Sequence, residues 1–142
     1  MQVKANYEED IMTAYLSSAQ NCASGTVTVI NLQKLLSVGN ELSVNNGKIV
    51  CGKDGYVEIS GLVSLSNLSS NGNTQIRVYL NTTLVINVTT RSYSTLLQGF
   101  ALPTKFIEVH EGDKLSLQIG AWSGDVNATG SPEHTYITVE YV

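Results

Sequence analysis

Two stretches of strict alternation decide what this chain can fold into. Residues 109–119 run from the turn Val109-His110-Glu111-Gly112-Asp113 into Lys114-Leu115-Ser116-Leu117-Gln118-Ile119, and a longer stretch is Gly55-Tyr56-Val57-Glu58-Ile59-Ser60-Gly61-Leu62-Val63-Ser64-Leu65. A period of two places Leu115, Leu117, Ile119 and Ala121 on one face and Lys114, Ser116 and Gln118 on the other, which is the pattern of a half-buried antiparallel strand. The chain therefore reads as a β-protein with a core on one side of each sheet.

Further strands are expected near 13–17, 26–32, 41–44, 48–51, 56–65, 74–80, 84–88, 94–102, 107–109, 114–121 and 134–141. The breaks between them are chemically explicit. Asn45-Asn46-Gly47, Lys53-Asp54-Gly55 and Asn71-Gly72-Asn73 supply residues that accept positive φ in tight hairpins. Pro103 and Pro132 fall after and before strands, where no ladder donor is lost. Short strands at this spacing indicate a two-sheet antiparallel sandwich or jelly roll, and 142 residues suit one such domain, assigned here to 13–142. Residues 1–12 are the least β-like. Tyr7, Ile11, Ala14 and Tyr15 recur at helical spacing beside Glu8-Glu9-Asp10, which predicts a short amphipathic helix or an attachment arm.

Ser, Thr and Asn supply 40 residues, whereas Asp, Glu, Lys and Arg make up 14%, so the surface is neutral-polar. With a formal charge of −4 and eight scattered Lys and Arg, the chain lacks the basic stripe of a nucleic-acid binder. No apolar run is long enough for membrane insertion, and Met1-Gln2-Val3-Lys4-Ala5-Asn6 lacks the apolar stretch of a secretory signal, so cytosolic synthesis is expected. Cys22 and Cys51 read as two reduced, packed thiols, although a single pairing is open to them. The Asn-x-Ser/Thr sequons at Asn67, Asn81, Asn87 and Asn127 are what chance provides in this composition.

No catalytic constellation is legible, and no enzyme, cofactor or metal is expected. His110, Glu111 and Asp113 read as a hairpin turn opened by Gly112 rather than a metal site. His134 has no nucleophile placed beside it by sequence, and Asp54, Asp113 and Asp125 each belong to a Gly-containing turn. Trp122 begins the longest loop, with Asp125, Asn127 and Thr129 after it. An aromatic ring beside such groups can stack on a pyranose while they bond its hydroxyls, so these four residues are the candidate glycan site. The competing structural role for Trp122 is to end its strand by packing over the sandwich edge.

The stretch 94–102 departs from clean alternation, with Leu97, Gly99 and Ala101 on one face and Leu96, Phe100 and Leu102 on the other. A strand that is apolar on both faces needs a second apolar environment, most simply another copy of the chain. Taken in order, Gly39-Asn40-Glu41-Leu42-Ser43-Val44, Gly47-Lys48-Ile49-Val50-Cys51, Gly55-Tyr56-Val57-Glu58-Ile59-Ser60-Gly61 and Glu111-Gly112-Asp113-Lys114-Leu115-Ser116-Leu117 resemble successive strands of the jelly-roll superfamily of tumour necrosis factor ligands and complement globular heads. The resemblance covers roughly residues 12–142. It implies a non-enzymatic homotrimer with Tyr56, Phe100, Tyr136 and Tyr141 facing the threefold axis. The collagen stalk and secretion signal of complement-type proteins are missing. The short arm and the surface rich in Asn, Ser and Thr also resemble bacteriophage head fibres, decoration proteins and receptor-binding tips. The expected function is thus a virion surface protein, made in the host cytoplasm and attached to capsid or tail through the N-terminal arm, with a host-surface glycan as its ligand. The alternative is a secreted tumour necrosis factor-like ligand-binding or signalling module.

Overall fold

A computed structural model describes residues 9–68, 74–90, 96–122 and 124–142. The described residues form thirteen strands: β1 (Ile11–Leu16), β2 (Gln20–Cys22), β3 (Thr26–Val29), β4 (Leu32–Val38), β5 (Leu42–Asn45), β6 (Lys48–Cys51), β7 (Gly55–Ser66), β8 (Thr74–Leu80), β9 (Thr83–Thr90), β10 (Gln98–Val109), β11 (Lys114–Ala121), β12 (Val126–Ala128) and β13 (Tyr136–Tyr141). A seven-stranded sheet has the order β2-β12-β7-β13-β1-β4, with β10 on the other side of β7. A six-stranded sheet has the order β5-β6-β11-β8-β9, with β3 beside β11. All pairings are antiparallel, and the two sheets form a jelly-roll sandwich.

The two alternating stretches supply both halves of the core. Leu115, Leu117, Ile119 and Ala121 of β11 point inward from one sheet, and Val57, Ile59, Val63 and Leu65 of β7 from the other, all fully or almost fully buried. Removing this much apolar surface from water is the main stabilising term. The β5–β6 hairpin turns at Asn46 and Gly47, both at positive φ (51° and 77°), which the type I′ geometry requires.

The structure revises the sequence reading in several places. The strand expected near 13–17 runs over 11–16, with Met12, Ala14 and Leu16 buried and Ile11, Thr13 and Tyr15 facing out, so the helical spacing that takes in Ile11, Ala14 and Tyr15 falls on a strand. Ile11 and Met12 therefore belong to the domain rather than to an arm ending at 12, and residues 1–8 lie outside the described residues. The expected strands at 94–102 and 107–109 are one strand from Gln98, continuous through a bulge between Leu102 and Lys105 that takes in Pro103. Residues 94 and 95 and the expected turn 71–73 lie outside the described residues. The long loop after Trp122 contains β12, which pairs with both β2 and β7. Strand β4 had no period-two signal because it carries an extra residue, Leu35, opposite the Thr13–Ala14 step of β1, which shifts its own alternation.

Cys22 and Cys51 are both free and fully buried. Burial pushes each thiol up to about 11, so the reactive thiolate is scarce near neutrality. A thiol-disulfide reagent at pH 7.5 is expected to leave both cysteines unmodified in the native protein and to titrate both in denaturant. Rapid native reaction would show that one of these strands opens readily.

Candidate functional site

The outer face of the seven-stranded sheet is set by register, since directly opposed residues share a face. One row runs Gln33, Tyr15, Tyr136, Leu62 and Ala101 across β4, β1, β13, β7 and β10. Another runs Val38, Ile11, Glu140, Glu58 and Phe106 across the same strands. Between them Thr13 Oγ1 meets Thr138 Oγ1 at 2.8 Å. Leu36 is 62% exposed, Phe106 60% and Tyr56 56%, while Tyr136 and Leu62 are half-buried. Glu58 and Glu140 stand directly opposite each other and Glu108 opposite Tyr56. This sheet thus carries a broad apolar and aromatic outer surface with carboxylates toward one end.

The four residues read as axis-facing separate by side. Tyr56 and Tyr136 are on this outer face. Phe100 is opposite the buried Val63 and packs on the core, and Tyr141 is opposite the buried Val57 and does the same. Strand parity agrees, since each sits an odd number of residues from an outward neighbour on its own strand. Tyr141 is instead part of an anchor at the end of the sandwich. Its hydroxyl donates to the Lys53 carbonyl at 2.8 Å, the Lys53 ammonium sits 4.7 Å from its ring centroid, and burial raises the phenol to about 12. The same Lys53 ammonium bonds Asp10, 2% exposed, at 2.7 Å.

The candidate glycan residues are also divided. Trp122 lies against the outside of the six-stranded sheet at Gly120, where a Cβ would meet the indole at 3.1–3.3 Å. Asp125 holds the neighbouring loop, its Oδ1 accepting from the Ser24 amide at 2.9 Å and its Oδ2 facing Asn21 Nδ2 at 3.4 Å. Asn127 is exposed opposite Ser66 on the seven-stranded sheet, and the Thr129 amide donates to the Ser64 carbonyl at 3.0 Å. Trp122 and Asn127 thus belong to different sheets.

Beside Trp122, sequence reasoning missed Gln75, Arg77 and Gln118. Gly120 is opposite Gln75, and Gln118 is opposite Arg77. Arg77 donates to Gln75 Oε1 through Nη2 and approaches Tyr79 Oη at 3.4 Å through Nη1, and its buried Nε has no partner. Gln118 Nε2 donates to Ser116 Oγ at 3.0 Å. The outward position of Arg77 in an alternating strand was legible, but its neighbours depended on which strand pairs with which.

The His110–Asp113 segment is a turn. Asp113 Oδ2 accepts from the His110 amide at 2.8 Å and Oδ1 from Asn81 Nδ2 at 2.9 Å; these bonds, Asn81 first, hold its carboxyl below the usual range. His134 lies in a turn closed by its amide to the Ser131 carbonyl at 3.1 Å. Among the described residues no three His, Cys, Asp or Glu gather as metal ligands.

No protein-family model matches the sequence, and no curated protein does. The fold does match solved structures. The crystal structure of murine APRIL at pH 8.5 superposes with a TM-score of 0.73 at 11% identity, covering 94% of this chain and 99% of that one. The Eiger TNF structure from S. frugiperda gives 0.65 at 9%, covering 94% and 91%. The phage PRD1 vertex protein P5 gives 0.64 at 18%, covering 94% and 96%. The chain therefore has the tumour necrosis factor-type jelly-roll fold, found also in a phage vertex protein.

Proposed function

We propose that this chain is a non-catalytic, homotrimeric surface protein of a bacteriophage virion, made in the host cytoplasm and joined to capsid or tail by its N-terminal arm. The observation that carries this reading is the outer face of the seven-stranded sheet, where Tyr15, Tyr136 and Leu62 form a half-buried row bordered by exposed Leu36, Val38, Tyr56 and Phe106. An apolar sheet face of this extent needs covering, and copies of the same chain arranged about a threefold axis cover it. The fold shared with phage PRD1 vertex protein P5 supports the virion setting.

The layout also suits attachment. Asp10 sits at the end of the sandwich that carries Lys53 and Gly55, whereas Trp122 sits at the opposite end, beyond Ala121 of β11. An arm at one end and an exposed aromatic at the other give a base and a tip. A second reading, a secreted ligand module, is favoured by the higher TM-score to murine APRIL, 0.73 against 0.64 for the vertex protein.

Light scattering at micromolar concentration is expected to give three times the 15.3 kDa protomer mass. A stable monomer would remove the trimer. Removing residues 1–8 should leave that mass unchanged and abolish recovery of the chain in purified virions; the deletion stops there because Asp10 is part of the folded domain. Normal incorporation of the truncated chain would place docking elsewhere, and absence of the chain from virions with presence in a secreted fraction would select the second reading.

A further inference from the structure

We propose that the outer face of the six-stranded sheet binds a carboxylated saccharide, its pyranose ring stacked on Trp122 and its carboxylate held by Arg77. The inference deepens the attachment reading and rests on it in one respect: covering the seven-stranded sheet in a trimer leaves this other face outward on every protomer.

The platform is built by a missing side chain. Gly120 points outward between Gln75 on β8 and Val27 on β3, and the indole of Trp122 lies over it, with Cζ2 at 3.1 Å and Nε1 at 3.3 Å from where a Cβ would stand. Trp122 is 44% exposed, so much of the indole stays open to a ligand. An exposed indole beside a sheet offers the apolar surface that a pyranose ring stacks upon.

The charge on this face identifies the sugar. Register assigns Lys48, Arg77 and Lys114 to its outward strand positions, and no Asp or Glu; the outward strand positions of the seven-stranded sheet instead carry Glu58, Glu108 and Glu140. The molecule is acidic overall, yet this face is cationic. Lys48 and Lys114 lie at the far end of the sheet from Trp122. Arg77 is one strand and one row away from Gly120, on the order of 8 Å between backbones, which a guanidinium spans. Among the described residues Arg77 has no carboxylate partner, and its bonds go to neutral Gln75 and Tyr79. A planar guanidinium is the natural bidentate receptor for one carboxylate. One cation beside one aromatic suits a single acidic sugar and is far too little for a polyanion such as nucleic acid. The amides complete the site: Gln75 has its oxygen occupied by Arg77 and its nitrogen left as a donor, while Gln118 has its nitrogen on Ser116 and its oxygen left as an acceptor.

The test is an NMR titration of the intact protein with 3′-sialyllactose, glucuronic acid and lactose, following the Trp122 indole N–H, with mass measured by light scattering on the same samples. Both carboxylated sugars are expected to shift that signal with dissociation constants of order millimolar, and lactose to bind at least ~10-fold more weakly. Arg77→Gln should bring the acidic sugars to the lactose level. Trp122→Ala, followed through the backbone amides of Gly120 and Gln118 because the indole signal is gone, should abolish all binding, and Gly120→Ala should weaken it by displacing the indole, each without changing the mass. Equal affinity for lactose and sialyllactose, or no response of Trp122 to any of the three, would overturn the proposal. So would unchanged binding by Arg77→Gln; should that variant not fold, the wild-type ranking of the three sugars decides. A monomer that still binds acidic sugars would remove the trimer and leave this site standing, whereas a trimer that binds none would do the reverse.

Discussion

Leu62→Asp is expected to convert the proposed trimer into folded monomers. Leu62 occupies the middle of the outward row with Tyr136 on one side and Ala101 on the other, and its Cδ1 leans over Gly99, 3.4 Å from where a Cβ would sit. In a separated protomer an aspartate there remains in contact with water, so the sandwich persists. In an assembled one each copy would place a carboxylate in a desolvated contact, at a cost of several kcal/mol per copy. About 4 kcal/mol is already roughly a thousandfold in association, so the assembly should fall apart at micromolar concentration. Phe100→Asp is the contrasting control. Because Phe100 packs against the core opposite Val63, its carboxylate would be buried within the protomer, and loss of fold rather than simple dissociation is expected. Light scattering with thermal unfolding separates the two. An unchanged mass for Leu62→Asp would show that some other face is the interface.

Asp10→Ala is expected to give the largest loss of protomer stability among polar substitutions. Asp10 is 2% exposed, accepts from Lys53 Nζ at 2.7 Å and from the backbone of Asn40 and Glu41, and its own carbonyl receives the Tyr141 amide at 2.9 Å. Gly39, at φ +81°, provides the space, since any Cβ there would overlap the carboxylate. Truncation removes the charge-assisted bonds of a buried carboxylate, at about 1–3 kcal/mol. The Lys53 side chain is 42% exposed and can rehydrate, so its share of the loss is small. The sign of the pH dependence follows from the shift. The Lys53 hydrogen bond, assisted by its charge and by the backbone donors, holds the Asp10 carboxyl below its ordinary value. A depressed carboxylate contributes stability that is fully present above the unfolded pKa, about 3.9, and is lost as pH falls through the lower folded value. Urea midpoints should therefore fall more steeply below pH 4 in the wild type than in Asp10→Ala, with the two curves converging in acid. Parallel curves would mean that Asp10 contributes no linked proton.

The sequence by itself determined the strand-forming character, the tight hairpin at Asn46-Gly47 and the inward rows of β7, β8 and β11, because these are local consequences of side-chain alternation and turn chemistry. Strands 48–51, 74–80 and 114–121 coincide with β6, β8 and β11. The order and spacing of the turns also carried the fold resemblance, at a level of identity where no family model responds. The failures have a shared cause. Ile11, Ala14 and Tyr15 satisfy a helical period as well as a strand one, so the strand expected from 13 starts two residues late, and pairing with β13 and β4 extends it back to Ile11. That Phe100 and Tyr141 take the core side of their strands was not legible, because apolar residues occupy both faces of those segments and parity is then set by a register that composition does not encode.

Which residues meet in space was decided by tertiary structure alone. Trp122, Asp125, Asn127 and Thr129 are near neighbours in the chain, yet β12 enters the seven-stranded sheet and carries Asn127 away from the indole. Gln75 and Arg77 reach the vicinity of Trp122 through the pairing of β8 with β11, across more than forty residues of sequence. Alternation is a property of one strand and can be read from it. Adjacency on a sheet face is a property of two strands and their register, fixed by the packing of the whole sandwich.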